Sequence, residues 1–400
     1  MTTTLERVLG ADAIAAVRRP IEDALGLPGT AYTSAEFLQL EQHKYFQRTW
    51  VAVAFGAELA EPGSVHPVSV AGLPLFLVRQ GNGEVLAFHN ACRHRGMMLV
   101  AEPCTGLKSI RCPYHAWLYG LDGKLRAATW FDGTPQGNED GRRSDVTLLP
   151  VRCAEWHHWI FVNVDGQAPS IDDYMQPYLD LMNAPDLEAL RYANQVEWTF
   201  EANWKLSIDN WENYHHPWVH DGVFDRLADD IDRETRKPWS DALQQGAVLT
   251  LRRRVESAPR YHFEETGLPR IPFPEGRERI TAPSFVLPNL EIAMVWDNIS
   301  SIIYQPLSPQ RTRAKMGFFY VGEAATADEH ARGRKVTQDR WLGPSRSMEA
   351  RDGVRSQDFE IFEAQQVAKH SPVADMTVMS PVWEQNVHYF QNYLLDFLDR

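Results

Sequence analysis

The 400-residue chain is poor in cysteine, in long apolar runs and in positive charge, and each shortage excludes a class of protein. Its four cysteines are too few for a small secreted domain held together by disulfides. No segment reaches the roughly 18 apolar residues of a transmembrane helix, and the apolar stretch at residues 11–17 is too short and too charged at its flanks for a secretory signal. The net charge of −13 argues against a nucleic-acid-binding surface. We therefore expect a soluble, cytoplasmic protein without a nucleic-acid or membrane partner.

Two of the four cysteines fall in a pair of matching motifs. Cys92-Arg93-His94 is followed, after 17 intervening residues, by Cys112-Pro113-Tyr114-His115. A Rieske-type [2Fe-2S] centre binds one iron through two Cys and the other through two His, so each motif can bring one ligand to each iron. A Cys₂His₂ zinc site uses the same ligand types, but zinc fingers usually place the two Cys together and the two His together. The motifs therefore predict that Cys92, His94, Cys112 and His115 hold a [2Fe-2S] cluster.

The residues around these motifs favour loops between β-strands. Residues 74–78 and 85–88 have strand composition and are separated by Gly81-Asn82-Gly83, a hairpin signal. Asp122-Gly123 marks a second hairpin after His115. We expect the other two cysteines, Cys104 and Cys153, to be free thiols.

The chain is long enough for two packed domains and divides into three segments by pattern. We predict a helical segment over 1–46 with Ser34 as an N-cap, a Rieske domain over 47–165, and a catalytic domain over 166–400.

The pattern within the last segment varies along its length. It predicts a helix over 171–190, a strand over 192–205, further strands over 283–321 and a helix over 346–369. Residues 222–282 are charged and irregular, and we interpret them either as a mobile cover or as a solvated insertion.

A second metal site is predicted at His215 and His220. A mononuclear Fe(II) oxygenase uses two His and one carboxylate on one face of the metal and leaves positions open for O₂. Five residues on an ideal helix separate two side chains by about 140°, which is too far to share a metal. Pro217 lacks an N–H, so the helix should kink or end between the two ligands. His216 directly precedes this proline, which should push its backbone away from the α region. For that reason we leave His216 out of the ligand set.

The carboxylate of this site must come from elsewhere in the chain. Phe359, Phe362 and Gln366 recur at helical spacing, so one face of this helix packs inward. Asp358 borders that face, and Glu360 and Glu363 compete with it as candidates.

Together the motifs resemble the alpha (oxygenase) subunits of the Rieske non-haem iron oxygenases. The resemblance rests on residues 92–96, 112–117 and 121–123, and it extends over the chain in order and length. It implies an α+β fold with a small all-β Rieske domain and a larger catalytic domain, in which helices flank an antiparallel sheet in a helix-grip arrangement. It also assigns Asp358 as the carboxylate ligand.

The resemblance also places a carboxylate between the two metal centres. In the family, the residue three positions before the first His bridges to the cluster, and that residue is Glu212 here. Asn203-Trp204-Lys205 and Asp209-Asn210 also match the family pattern, so Asn210 joins Glu212 as a candidate catalytic residue. In relatives the cluster of one subunit serves the iron of its neighbour, which implies a homotrimer. In that trimer His115 faces Glu212 of the next subunit, and Glu212 touches His215.

The implied activity is that of a terminal oxygenase. It would use O₂ and NAD(P)H-derived electrons delivered by a separate flavin/[2Fe-2S] reductase or a ferredoxin. Much of the family has Asp at position 212, and Glu resembles the branch acting on quaternary ammonium compounds such as carnitine, choline and glycine betaine. We therefore expect hydroxylation or N-demethylation of such a compound, by monooxygenation rather than dioxygenation.

Two other functions remain open at this stage. One is hydroxylation or O-demethylation of an aromatic acid, and the other is a Rieske electron carrier without oxygenase activity. Aromatic residues near the second site are either a cation–π pocket for an ammonium group or ordinary core. They are Trp211, Trp218, Trp296 and Tyr304.

Overall fold

The computed structural model describes residues 3–135, 137, 145–213, 215–216, 219–220, 238, 240–253, 266–347 and 349–400. The sequence predictions that concern Pro217 and Trp218, and those for 222–237, 239 and 254–265, lie outside the described residues. The chain forms two compact units, residues 46–171 and residues 1–45 with 172–400.

The unit of residues 46–171 is built from two antiparallel sheets. A six-stranded sheet has the order β1-β9-β8-β4-β3-β2, and a three-stranded sheet has the order β5-β6-β7. The hairpin predicted around residues 81–83 is present between β3 and β4, and Gly83 has a φ of 89° that favours glycine. The strands are β1 (Val51–Phe55), β2 (Val65–Val70), β3 (Leu73–Arg79), β4 (Val85–His89), β5 (Ser109–Arg111), β6 (Leu118–Gly120), β7 (Leu125–Ala127), β8 (Pro150–Trp156) and β9 (Trp159–Asn163), with a 3₁₀ helix at Gly56–Leu59.

The core of this unit includes both predicted cluster cysteines. Cys92 and Cys112 are buried with the apolar side chains of Phe76, Phe88 and Tyr119. The loops that carry the cysteines are therefore fixed by the same packing that holds the sheets together.

The second unit contains a seven-stranded antiparallel sheet in the order β10-β16-β15-β14-β13-β12-β11. All five residues of the central strand β14 are buried, as are the first seven of β15. The strands are β10 (Leu190–Phe200), β11 (Ser240–Gln245), β12 (Val248–Arg253), β13 (Ala282–Val286), β14 (Leu290–Met294), β15 (Asn298–Ser308) and β16 (Arg311–Val321).

Helices of this unit precede and follow the strands of this sheet in the chain. Val387, Phe390 and Leu394 recur at helical spacing in the last helix and are buried. No helix in the described part of the chain is long and apolar enough to cross a bilayer. The α-helices are α1 (Thr4–Leu9), α2 (Ala11–Val17), α3 (Thr30–Thr33), α4 (Ala35–Glu41), α5 (Ile171–Leu181), α6 (Leu206–Asp209), α7 (Ala331–Leu342), α8 (Val354–Ala368) and α9 (Gln385–Asp399). A π-helix spans Gln42–Phe46, and further 3₁₀ helices span Leu187–Ala189, Gly322–Ala325, Asp328–His330 and Pro372–Met376.

The structure confirms some boundaries and corrects others. Ser34 caps α4 by accepting a hydrogen bond from the Phe37 N–H, as predicted. Helix α5 ends at Leu181 rather than at 190, and α8 begins at Val354 rather than at 346. The segment 222–282, which we predicted to be irregular, contains β11 and β12. The sequence of β11, Ser-Asp-Ala-Leu-Gln-Gln, has too few apolar residues to indicate a strand, and its pairing with β12 supplies what composition lacks.

Buried polar contacts fix the short helix α6. Lys205 directly precedes it, and its Nζ lies 2.8 Å from Oε1 of Glu41, with both side chains completely buried. The Asn203 N–H donates to the Gln366 side chain at 2.9 Å. The family-like run from residue 203 to 205 therefore anchors the segment that leads to Asn210 and Glu212.

Candidate metal centres

The two cysteine motifs form loops with the same backbone hydrogen bonds. The Cys92 N–H donates to the Met97 carbonyl at 2.8 Å and the Gly96 N–H to the Cys92 carbonyl at 2.8 Å. In the second loop, the Cys112 N–H donates to the Trp117 carbonyl at 2.8 Å and the Ala116 N–H to the Cys112 carbonyl at 3.1 Å. The fifth residue of each loop has a positive φ, 72° at Gly96 and 53° at Ala116. Each loop is thus a tight turn closed by two backbone hydrogen bonds.

The four predicted cluster ligands converge in the structure. The Cys92 and Cys112 side chains are buried in the same core cluster. The His94 and His115 rings lie 4.6 Å apart between centroids. Nδ1 of His94 is buried and accepts or donates no hydrogen bond within the described chain, which leaves it available to bind a metal. Burial, followed by the nearby His115 and Arg95, lowers the pKa of His94, which favours the neutral imidazole that ligation requires. The donor set fits a Rieske [2Fe-2S] cluster.

Aromatic side chains surround these ligands. The Trp117 ring stacks on His94 with centroids 4.8 Å apart and planes 8° apart. The Tyr119 hydroxyl lies 3.2 Å from Sγ of Cys92 and accepts from the Arg93 N–H at 3.1 Å. Burial, followed by this contact with Cys92, raises the pKa of Tyr119, so its hydroxyl stays protonated and can donate to sulfur.

A second group of metal-binding side chains lies in the unit that contains β10–β16. Ligand atoms of His216, His220 and Asp358 all fall within 4.8 Å of one another. Nε2 of His220 is 3.5 Å, and Nε2 of His216 3.8 Å, from Oδ1 of Asp358. Two imidazoles and one carboxylate are the donor set of a non-haem Fe(II) site with open positions, so these residues fit a mononuclear iron.

The structure differs from the sequence prediction at one member of this group. His216 stands where we expected His215, because the Glu212 carboxylate holds Nδ1 of His216 at 2.6 Å and so aims Nε2 at Asp358. The His215 ring instead stacks on Trp383, with centroids 4.9 Å apart, and its Nδ1 is 3.6 Å from Glu212. Helix α6 ends at Asp209, and neither histidine is helical.

The two imidazoles differ in their electrostatic surroundings. Burial alone would lower the pKa of His216, but its hydrogen bond to Glu212 and the charges of Asp358 and Glu212 together raise it. For His220, burial outweighs the attraction of Asp358 and lowers the pKa. His220 is therefore the imidazole that its surroundings keep neutral, while His216 is placed between two carboxylates.

Gln357 orients His220 and was missed by the sequence reasoning. Its amide nitrogen donates to the Arg351 carbonyl at 3.0 Å, so its Oε1 is left to accept from Nδ1 of His220, also at 3.0 Å. That tautomer leaves the lone pair on Nε2, which faces Asp358. Hydrogen bonds of this kind commonly fix metal-binding imidazoles. The position next to Asp358 on α8 could have suggested it, but no spacing rule singles out an amide.

Asp358 is buried and held from two sides. Its Oδ1 accepts from the Asn210 amide at 3.0 Å, and its Oδ2 lies 3.3 Å from Nη1 of Arg355. Arg355 also pairs with Glu291, whose other oxygen accepts from the Tyr304 hydroxyl at 2.9 Å. Although burial opposes it, the charge of Glu291, followed by Tyr304 and Asp358, raises the pKa of Arg355, which keeps the guanidinium charged.

A cavity of about 380 Å³ reaches this site from one side. Its wall is rich in carboxylates, and burial, followed by the charges of Glu212 and Asp209, raises the pKa of Glu384. Glu212 and His216 both line this cavity. Its polar lining includes Asp209, Asn210, Glu212, His216, Lys369 and Glu384.

The aromatic residues predicted near the site pack in two places. Trp211 contacts Phe285 edge-on at 5.6 Å between centroids, and Phe285 stacks on Tyr304 at 5.9 Å. Trp296 is covered by the guanidinium of Arg270 at 5.9 Å. Trp211 and Tyr304 are buried, so they contribute to the core beside the Asp358 network.

Two family comparisons account for both centres. Residues 49–136 match the Rieske [2Fe-2S] domain, and residues 187–400 match the ring hydroxylating alpha subunit (catalytic domain). The second match covers more than half of the chain, which therefore belongs to the family of ring-hydroxylating oxygenase alpha subunits. The expected α+β fold class, the Rieske cluster and the mononuclear iron are thereby confirmed.

Curated relatives in this family include two oxygenase subunits. The carnitine monooxygenase oxygenase subunit of Acinetobacter pittii is 30% identical over 223 residues, which are 55% of this chain and 58% of the relative. The glycine betaine monooxygenase oxygenase subunit of Chromohalobacter salexigens is 30% identical over 281 residues, which are 69% of this chain and 62% of the relative. The match thus spans about three fifths of the length of each relative.

Two solved structures share the fold over nearly the whole chain. The quaternary ammonium Rieske monooxygenase CntA in complex with its substrate L-carnitine has a TM-score of 0.73 at 20% identity, covering 96% of this chain and 98% of that one. Naphthalene 1,2-dioxygenase from Rhodococcus bound to indole has a TM-score of 0.76 at 20% identity, covering 100% and 99%. The same fold therefore serves both a quaternary ammonium substrate and an aromatic one.

Proposed function

We propose that this chain is the terminal oxygenase of a multicomponent system and hydroxylates or N-demethylates a small quaternary ammonium compound. The observation that carries the proposal is the presence of two donor sets in one chain, the Cys92/His94/Cys112/His115 set and the imidazole–Asp358 set. The substrate class rests on Glu212 and on the named activities of the two curated relatives.

For the mononuclear iron we propose His220 and Asp358 as two ligands and His215, from the motif spacing, as the third. His216 is the competing ligand, because the structure brings its Nε2 to 3.8 Å from Asp358. The two histidines are adjacent and both contact Glu212, so single variants of each distinguish them.

When bound, the cluster would supply electrons one at a time, and the mononuclear iron would supply oxygen-activating chemistry beside the substrate. The side chains of this chain set the conditions for that chemistry. Gln357 and Glu212 each fix an imidazole through Nδ1, and Asn210 fixes Oδ1 of Asp358. Glu212 is the group we assign to hold a proton between the two centres, since its carboxylate contacts the histidines and lines the cavity.

The overall reaction balances with one O₂ and two electrons. One oxygen atom enters a C–H bond of an N-methyl group, and the other leaves as water after two protons are taken up. The hydroxymethyl ammonium product then loses formaldehyde and a proton, which leaves the demethylated amine. A separate reductase oxidises NAD(P)H and passes the electrons to the cluster, either directly or through a ferredoxin.

We also propose a homotrimer in which the cluster of one copy serves the iron of the next. Large apolar side chains are exposed around the cluster loops, including Trp130 at 64% and Tyr114 at 58%. Exposed apolar side chains, when they lie together, are typical of a covered interface. In the assembly His115 would meet Glu212 of the neighbouring copy.

An electron carrier without oxygenase activity would have no use for residues 187–400, which match the catalytic domain. Oxidation of an aromatic acid remains the second candidate, and the fold shared with naphthalene dioxygenase supports it.

The test is a substrate screen with the purified oxygenase and a compatible reductase. Carnitine, glycine betaine, choline and a set of aromatic acids are compared for substrate-dependent NADH oxidation, O₂ uptake and organic product. We expect coupled turnover with a quaternary ammonium compound, and none in an Asp358→Ala variant. Coupled turnover with aromatic acids alone would overturn the substrate class while leaving the oxygenase assignment intact.

A further inference from the structure

We infer that Arg355 restricts Asp358 to a single metal-binding oxygen. The inference rests on the proposed function in taking Asp358 as a ligand of the mononuclear iron. Arg355 acts through Asp358, so it is a positioning residue.

The two oxygens of Asp358 face different partners. Oδ1 points toward the imidazoles, 3.5 Å from Nε2 of His220, and accepts from the Asn210 amide. Oδ2 lies 3.3 Å from Nη1 of Arg355. Binding a metal through both oxygens would require Oδ2 to leave the guanidinium. A buried guanidinium that loses one of its carboxylates is strongly disfavoured, so Oδ1 is the oxygen left for the metal.

Arg355 cannot easily follow Asp358, because its other contacts hold it. Its Nη2 pairs with Glu291, and the side chains of both residues are less than a tenth exposed. The Trp341 ring lies 4.9 Å from the guanidinium carbon. Glu291 is held in turn by the Tyr304 hydroxyl at 2.9 Å. The planar guanidinium thus spans two carboxylates, which a lysine ammonium cannot reproduce.

One-oxygen binding has a direct consequence for the metal. Two imidazoles and one carboxylate oxygen occupy about three positions of an octahedral ion, and a two-oxygen carboxylate would occupy about one more. Arg355 therefore keeps an additional position available for exogenous ligands.

The experiment is a set of crystal structures of the full chain loaded with Co²⁺ at the mononuclear site. In the unsubstituted protein we expect one Asp358 oxygen at about 2.0–2.2 Å from the metal and the other beyond about 2.8 Å. In the Glu291→Gln/Arg355→Met double variant, which removes both buried charges together, the second oxygen should move in by at least about 0.5 Å. Arg355→Lys should show the same direction of change.

Arg351→Met is the matched control, because Arg351 precedes the same helix and pairs with Glu360 at the surface. It should keep one-oxygen binding. Two-oxygen binding in the unsubstituted protein, or one-oxygen binding in the double variant, would overturn the inference while leaving the metal site in place. Absence of metal at His220 and Asp358 would instead contradict the proposed function. If a variant does not fold, the structure of the unsubstituted protein still tests the inference by itself.

Discussion

The side-chain amide of Asn210 donates a hydrogen bond to Oδ1 of Asp358 at 3.0 Å. This contact joins the residue that follows helix α6 to the predicted ligand on helix α8, 148 positions later in the chain. It places Asn210, predicted as a catalytic residue, in a position to orient the predicted ligand Asp358.

Replacing Asn210 by alanine should weaken the mononuclear site. Loss of a partner that orients a metal-binding carboxylate typically costs about 10–100-fold in metal affinity or activity. Iron retention during dialysis against a chelator and kcat/KM with the best substrate measure the effect. Asn392→Ala, a half-buried asparagine on α9, is the control and should change neither. Equal iron retention in both variants would remove Asn210 from the site.

The adjacent histidines call for a paired test. We predict that His215→Ala loses the mononuclear iron, whereas His216→Ala retains it with reduced turnover, since His216 contacts Glu212 and Asp358. Iron content and the absorption of the Rieske cluster are measured on both variants, and the cluster should be unaffected. The opposite pattern, with iron lost only in His216→Ala, would contradict this prediction and identify His216 as the iron ligand.

Replacing Tyr119 by phenylalanine should lower the reduction potential of the cluster. The hydroxyl lies 3.2 Å from Sγ of Cys92, and hydrogen bonds to cluster sulfur favour the reduced form. If this hydrogen bond is about 1 kcal/mol stronger in the reduced than in the oxidised cluster, its loss lowers the potential by about 40 mV for a one-electron couple. Tyr114→Phe removes a hydroxyl from the same region and is the control. A potential within a few millivolts of the unsubstituted protein would show that this hydroxyl does not donate to sulfur.

The two remaining cysteines should differ sharply in reactivity. Both are free thiols, as expected from the sequence. Burial, followed by the charge of Glu155, raises the pKa of Cys153 to about 12, whereas Cys104 is exposed. Because the thiolate is the reactive form, only about one Cys153 in ten thousand is reactive at pH 8. A disulfide reagent should therefore titrate about one thiol per native holoprotein chain, and Cys104→Ser should abolish it. Two fast thiols would contradict the raised pKa of Cys153.

The parts of this account that could be predicted from sequence are those encoded locally. Each cluster motif holds its Cys and His within a single tight loop, so spacing was enough to predict four cluster ligands. Asp358 could be placed at the border of an inward helix face, but choosing it over Glu360 and Glu363 required the family resemblance.

Contacts between distant segments could not be predicted. Arg355 and Gln357 shortly precede Asp358 in sequence, yet their contacts depend on Glu291 of β14 and on His220, which the fold brings to them. The choice between His215 and His216 also depends on the path of a non-helical segment, where a shift of one residue exchanges the imidazole that faces Asp358.

Metal analysis of the purified protein tests the central claim most directly. An oxygenase with both centres should contain about three irons and about two acid-labile sulfides per chain, and Asp358→Ala should lower the iron to about two without loss of sulfide. About two irons in the unsubstituted protein, unchanged by Asp358→Ala, would contradict the account and identify the chain as a carrier of the cluster alone.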